Sequence, residues 1–156
     1  MSDVVEDPLA LERQVCFALV TAGRSVLALY RPVLEPLGLT HPQYLVMLAL
    51  WERSPQRARD LADELVLEPA TVTPLLRRLE DQGLVTRRRQ LGDGRSLDVA
   101  LTPAGRALRD RALDVPVEVM RRLGLSLEHL EGLRDDLDAL ARASRAAAAE
   151  AVVAQA

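Results

Sequence analysis

The 156-residue chain has no lysine; all 20 of its basic residues are arginine. A guanidinium can hold phosphate or guanine in a bidentate way that an ammonium cannot, although a GC-rich codon bias accounts for most of these arginines without any function. Aromatic residues make up only 3% of the sequence, so the core has to be built from Leu, Val and Ala. There is one cysteine, Cys16. That excludes an intramolecular disulfide and a cysteine-based metal site, and it suits a reducing cytoplasm. No Cys-x-x-Cys, metal-ligand cluster or phosphate-cradling loop is visible, so no enzyme activity, cofactor or metal is expected. Residues 1–8 are acidic and polar, unlike a signal peptide. The longest unbroken apolar run, Tyr44 to Trp51, falls far short of the ~20 residues of a membrane span. The expectation is a cytoplasmic protein with no membrane association.

What is present is a helical pattern. Hydrophobic residues reach 49%, enough for a core of one domain with helical extensions. Between Leu9 and Tyr30, apolar residues recur in steps of three and four at Leu11, Val15, Leu19, Ala22, Val26 and Tyr30. Pro32, Pro36 and Gly38 are expected to disturb and end that helix. Thr40 to Gln43 forms a capping box opening a buried helix to about Trp51, and Ser54-Pro55 marks a turn. A short amphipathic helix, Arg59 to Leu65, turns Leu61, Ala62 and Leu65 inward. A tight connection leads to Pro69, well placed as the first residue of a helix that Gly83 caps. Two helices so joined fit a helix-turn-helix.

Leu84 to Arg89 and Ser96 to Leu101 read as the two strands of a hairpin, its tip around Asp93-Gly94. Thr102-Pro103 opens a helix toward Gly124, interrupted near Pro116. Ser126 caps a last Leu- and Ala-rich helix, expected to fray from Ala146. The fold class is therefore mainly α with a small β-hairpin wing: a winged helix-turn-helix at 39–102, an N-terminal dimerisation helix at 1–38, and C-terminal dimerisation helices at 103–156. The apolar stripes of the outer helices are best buried against a second copy, giving a two-fold homodimer.

The net charge of −3 does not suggest a nucleic-acid binder. Its distribution does. Between Arg77 and Arg95 lie six arginines and three acids, a local +3 that coincides with the second helix of the helix-turn-helix and the wing. Pro69, Ala70, Thr71 and Thr73 at that helix start can approach base edges and thymine methyls. Arg77 and Arg78 follow, Arg88 lies on the wing, and Arg95 at the hairpin tip suits a narrow minor groove, with Asp93 positioned to hold it. An isolated charge run would read as a solvated face; the surrounding helix-turn-helix and hairpin favour double-stranded DNA.

Asp93-Gly94-Arg95-Ser96, followed by Val99-Ala100-Leu101-Thr102-Pro103-Ala104-Gly105, resembles the wing of MarR-type regulators, and the likeness runs from about Leu9 to Leu140. More narrowly, residues 14–19, 29–32, 39–47 and 67–76 resemble the organic hydroperoxide resistance regulators of one-cysteine type. That resemblance implies a dimeric repressor that leaves its operator when an N-terminal cysteine is oxidised by an organic peroxide, with two tyrosines of the other subunit hydrogen-bonded to the sulfur. Cys16 matches the cysteine and Tyr30 the first tyrosine. His41 stands where the second is expected, and either hydrogen-bonds the sulfur, stabilises a thiolate as imidazolium, detunes the sensor, or serves only as a helix-entry residue. Cys16 and Tyr30 on one helix share a face but lie roughly 21 Å apart, which allows pairing between antiparallel subunits and not within one chain.

The mechanism so implied is a reduced dimer on a pseudo-palindromic operator, oxidation of Cys16 to a sulfenic acid, and capture by a low-molecular-weight thiol, since no second cysteine exists. Phe17, Val20, Tyr44 and Met47 would line an apolar pocket favouring organic peroxides. Three rivals have different signatures: a regulator controlled by a reversibly bound ligand with Cys16 inert, a thiol peroxidase, and a helical interaction module without DNA binding.

Overall fold

The computed structural model describes residues 9–90 and 93–153. Seven α-helices and three strands are assigned among them. The order is α1 (Val15–Leu34), α2 (His41–Glu52), β1 (Gln56–Arg57), α3 (Ala58–Glu64), α4 (Pro69–Asp81), β2 (Val85–Gln90), β3 (Asp93–Leu101), α5 (Pro103–Ala112), α6 (Asp114–Leu123) and α7 (Leu127–Val153). Two compact units result, residues 1–115 and 116–156.

The first unit is organised around an aliphatic core. Leu34, Val46, Met47, Leu50, Leu61, Val72, Leu76, Leu79, Val85 and Val99 are all essentially inaccessible to solvent. Helix α2 is buried on several sides, through Gln43, Tyr44, Val46, Met47, Ala49 and Leu50. Its start is fixed by the expected capping box: the Gln43 backbone N–H faces Thr40 Oγ1 at 3.5 Å, and the Thr40 N–H donates to Gln43 Oε1 at 2.8 Å. Helix α3 buries Leu61 and Ala62, while Leu65 is half-buried. Helix α4 begins at Pro69, buries Val72, Leu75, Leu76 and Leu79, and is followed by Gly83 at φ 72°. That left-handed conformation costs glycine little.

The expected hairpin is present but belongs to a larger sheet of three antiparallel strands in the order β1-β3-β2. Gln56 and Arg57 pair with Val99 and Asp98. A two-residue edge strand carries no alternating pattern, so nothing in the sequence announces it. The hairpin tip also differs from the sequence reading: Asp93 and Gly94 lie on β3, with Asp93 opposite Gln90 after a register shift at Arg89/Gln90. Leu91 and Gly92 lie outside the described residues. Val99 and Leu101 are buried and Leu97 half-buried, the inward face expected from alternation.

Gly105 secures the sheet-to-helix junction. A Cβ there would sit 2.0 Å from the Leu84 carbonyl oxygen, so only glycine lets α5 approach this closely. The Gly105 carbonyl in turn accepts from the Trp51 indole N–H at 2.9 Å. Thr102 caps α5 as expected, accepting from the Gly105 N–H at 3.0 Å.

Helix α1 departs from its sequence reading at both ends. Leu11–Arg13 is a separate 3-10 turn, and the α-helix starts at Val15. It then passes through Pro32 to Leu34, with Glu35–Leu37 a second 3-10 turn. Pro32 removes one helical hydrogen bond, a cost of about 3 kcal/mol in a helix interior; complete burial of Leu34 two residues further on opposes it. Only Leu34 of α1 is buried. By length and composition alone, Val15–Leu37 is apolar enough to cross a membrane, which a count of consecutive apolar residues missed. Arg24 stands mid-helix, however, where an arginine in lipid costs about 2.5–3.5 kcal/mol.

In the second unit, Glu118 is paired with Arg121 at 2.7 Å and Arg122 at 2.6 Å. Hydrogen bonds from these guanidiniums hold its carboxyl down at about 2. Ser126 caps α7, accepting from the His129 N–H at 3.2 Å. The alanine-rich segment remains helical to Val153, in keeping with alanine's high helix propensity. Leu127, Leu133, Leu137 and Leu140 are exposed along α7.

Candidate DNA interface and sensor site

The inward stripe of α4 sets what its opposite face presents. With Val72, Leu75, Leu76 and Leu79 buried, Pro69, Ala70, Thr71, Thr73, Pro74, Arg77 and Arg78 are all exposed. The expected contact residues therefore share one accessible helix surface. Thr73 is partly committed, its hydroxyl donating to the Pro69 carbonyl at 3.0 Å.

The wing arginines divide. Arg87 is not available to a ligand: its guanidinium meets Glu80 at 2.6 Å, and its own backbone N–H donates to Glu80 Oε1 at 3.1 Å. These bonds hold the Glu80 carboxyl below its usual range. Glu80 is on α4 and Arg87 on β2, so the pair braces the recognition helix against the wing. Removing one arginine and one acid from the basic block leaves its excess of positive charge intact. Arg88 and Arg89 are exposed. Arg88 sits directly opposite Asp98, which has Arg57 on its other side in the sheet register. The side chains of Asp93 and Arg95 lie outside the described residues.

Tyr30, His41 and Tyr44 gather at the junction of α1 and α2. The Tyr30 and His41 rings meet edge-on with centroids 5.0 Å apart, and Tyr44 lies 6.2 Å from Tyr30. Tyr44 continues to Trp51 at 6.4 Å. Burial raises the Tyr30 and Tyr44 hydroxyls above their ordinary value, Tyr44 also through repulsion from Tyr30. Burial lowers the His41 pKa, disfavouring its charged form. Beside it a hollow of about 610 Å³ is lined by Leu27, Arg31, Glu35, Gly38, Leu39, Thr40, His41 and Pro42.

Cys16 is exposed near the start of α1. A single chain thus brings together Tyr30, His41 and Tyr44 but not Cys16. Of the four residues expected around a peroxide pocket, Tyr44 and Met47 belong to the core, whereas Phe17 and Val20 are exposed on α1.

Two features here were not anticipated. Gln82, just beyond α4, accepts from the Gln43 amide at 3.3 Å and donates to the Gly38 carbonyl at 2.8 Å. It ties the end of the recognition helix to the turn carrying His41. Pro74 stands exposed inside α4. Gln82 had no local signal, but Pro74 was readable as a helix-interior proline outside the apolar stripe.

Residues 39–97 match the family model described as "MarR family". The chain is 40% identical over 134 residues to the organic hydroperoxide resistance transcriptional regulator of Bacillus subtilis, covering 86% of this chain and 89% of that one. Among solved structures, reduced AbfR bound to DNA, a Staphylococcus epidermidis protein, is 31% identical with a TM-score of 0.71, covering 85% of this chain and 92% of that one. CouR of Rhodococcus jostii bound to p-coumaroyl-CoA is 29% identical with a TM-score of 0.73, covering 85% and 95%. With its winged helix, its basic wing and relatives that regulate transcription on DNA, the chain belongs to the MarR family of DNA-binding transcriptional regulators.

Proposed function

We propose that this protein is a homodimeric repressor released from a pseudo-palindromic operator when Cys16 is oxidised by an organic hydroperoxide. The observation that carries the reading is the separation of the sensor parts. Tyr30 and His41 form a ready-made ring pair at one end of α1, while Cys16 is exposed near the other. Cys16 and Tyr30 are 14 positions apart, about 21 Å of helix, so one chain cannot close the site. Two α1 helices crossing antiparallel about a dyad bring Cys16 of each beside Tyr30 and His41 of the other, and bury the apolar stripe.

In this reading residues 1–38 sense and dimerise, 39–102 bind DNA, and 103–156 complete the dimer. The chemistry follows from the thiolate. Its sulfur attacks one peroxide oxygen, the O–O bond breaks, the alcohol departs with a proton, and Cys16 becomes a sulfenic acid. A low-molecular-weight thiol then condenses with it, releasing water and leaving a mixed disulfide. His41 and the Tyr30 hydroxyl supply hydrogen bonds to the sulfur, and the added bulk at the seam respaces the wings. Phe17 and Val20 brought in by the partner give the site its apolar wall. Identity of 40% to a hydroperoxide resistance regulator supports the reading.

The test is operator release, measured by gel shift, with wild type and Cys16→Ser side by side. Cumene hydroperoxide should free wild type while the variant stays bound, and mass spectrometry should find one thiol adduct per chain. Equal release of both proteins ends the sensor reading. A second reading has one observation in its favour: the hollow of about 610 Å³ beside His41 and Arg31, in a fold whose relative CouR was solved with a bound acyl-CoA. Release by a small ligand, with no response to peroxide, selects that alternative.

A further inference from the structure

The geometry points to Ala70 and Pro74 as a specificity element of the recognition helix that reads one A·T base pair in each half-site. The assignment rests on α4 being the helix that enters the major groove. The buried positions of α4 are Val72, Leu75, Leu76 and Leu79. At 100° per residue, Ala70 and Pro74 fall diametrically opposite that stripe, one above the other. Both are exposed.

A proline is costly inside a helix because it lacks an N–H and its ring crowds the carbonyl four residues back. In α4 that carbonyl belongs to Ala70. It therefore lacks its ordinary helical donor, and the residue that carries it is exposed. The neighbouring Pro69 carbonyl, by contrast, receives an additional donor from the Thr73 hydroxyl. Helix α4 thus carries, on the face opposite its buried stripe, an apolar methyl and ring together with a carbonyl that has no helical donor.

Only one kind of base pair offers the complement in the major groove. Adenine presents the N6 amino donor and thymine its C5 methyl. Guanine presents two acceptors, N7 and O6, which would face the Ala70 carbonyl without a proton between them. Cytosine has an amino donor but no methyl for the proline ring.

The test selects binding sites from random duplexes with wild-type and Pro74→Ala protein, then measures affinity for the wild-type site carrying thymine→uracil or adenine→purine changes. The variant regains an N–H at position 74, which ties up the Ala70 carbonyl, and it loses the ring. It keeps its fold, because alanine is the better helix former. Wild type should lose about tenfold in affinity on either base change at one position per half-site, and the variant less than about twofold there, with unchanged salt dependence. Identical selected sequences for the two proteins overturn the assignment, as does a folded variant that loses selectivity at every position. Wild type that enriches no sequence at all brings down the DNA interface itself, a distinguishable failure.

Discussion

The winged block from α2 to α5 and the helix α1 that precedes it are built on opposite terms. The block finishes its own business within one chain. Its aliphatic side chains are buried, Trp51 finds the Gly105 carbonyl, Gln82 joins Gln43 to Gly38, and Glu80 holds Arg87. Helix α1 buries only Leu34 and leaves Val15, Phe17, Leu19, Val20, Val26 and Leu27 exposed. A helix so apolar on its outer face is unfinished in a single copy. The comparison teaches where the packing is complete and where it is not: a self-sufficient winged block attached to a helix whose apolar surface is left uncovered.

The sharpest way to break that contrast is to damage each side separately. Leu76 is fully buried in the block. Leu76→Ala should cost about 2–5 kcal/mol through lost transfer energy and the cavity left behind, read as a fall in the denaturation midpoint. This loss should not depend on protein concentration beyond that of wild type. A cost under about 1 kcal/mol would mean that the block is loosely packed and the contrast unreal.

The matching change on the other side is Val20→Asp, at a residue 50% exposed in one chain. Burying a valine stabilises by about 1.5–3 kcal/mol, and a dyad repeats the contact. The dimer dissociation constant should therefore rise at least about a hundredfold, measured by sedimentation, while the block keeps its helical circular dichroism. An unchanged dimer would place the interface elsewhere. So would a wild-type protein that is monomeric throughout.

How much of this was legible beforehand follows the same divide. The block was readable because its signals are local: Thr40 with Gln43, Pro69 and Gly83 at the two ends of α4, Thr102 before Pro103. What escaped was long-range. Strand β1 exists only because Gln56 and Arg57 find Val99 and Asp98. Glu80 and Arg87 meet across a turn and a change of secondary structure, so Arg87 could not be separated from the other wing arginines by sequence. Helix α1 was recognisable from its period, yet its passage through Pro32 was not, because burial of Leu34 is a tertiary event. Of the Tyr30–His41–Tyr44 cluster, the proposed roles of Tyr30 and His41 came through family resemblance; composition and spacing alone would have left them as ordinary core rings.

The smallest effect, and the finest probe of the border between the two regions, is the titration of His41. Its imidazole packs edge-on against Tyr30, in the hollow that Arg31 and Glu35 also line. Burial lowers its pKa in the folded chain below the ordinary 6.5. The unfolded chain consequently takes up the proton first as the pH falls. Stability should be level above about pH 6.5, as far as this group is concerned, and should decline as the pH drops from there toward the folded value. The carboxylates act in a lower window. Glu80 and Glu118 are held below 4.5 by their arginines, so their stabilisation is present above that pH and is lost as the pH falls through the depressed values. Thermal melts of His41→Tyr should therefore lose the slope just below pH 6.5 and keep the one below pH 4.5. If the first slope survives the substitution, another group titrates there and the ring pair is not the element that links α1 to the winged block.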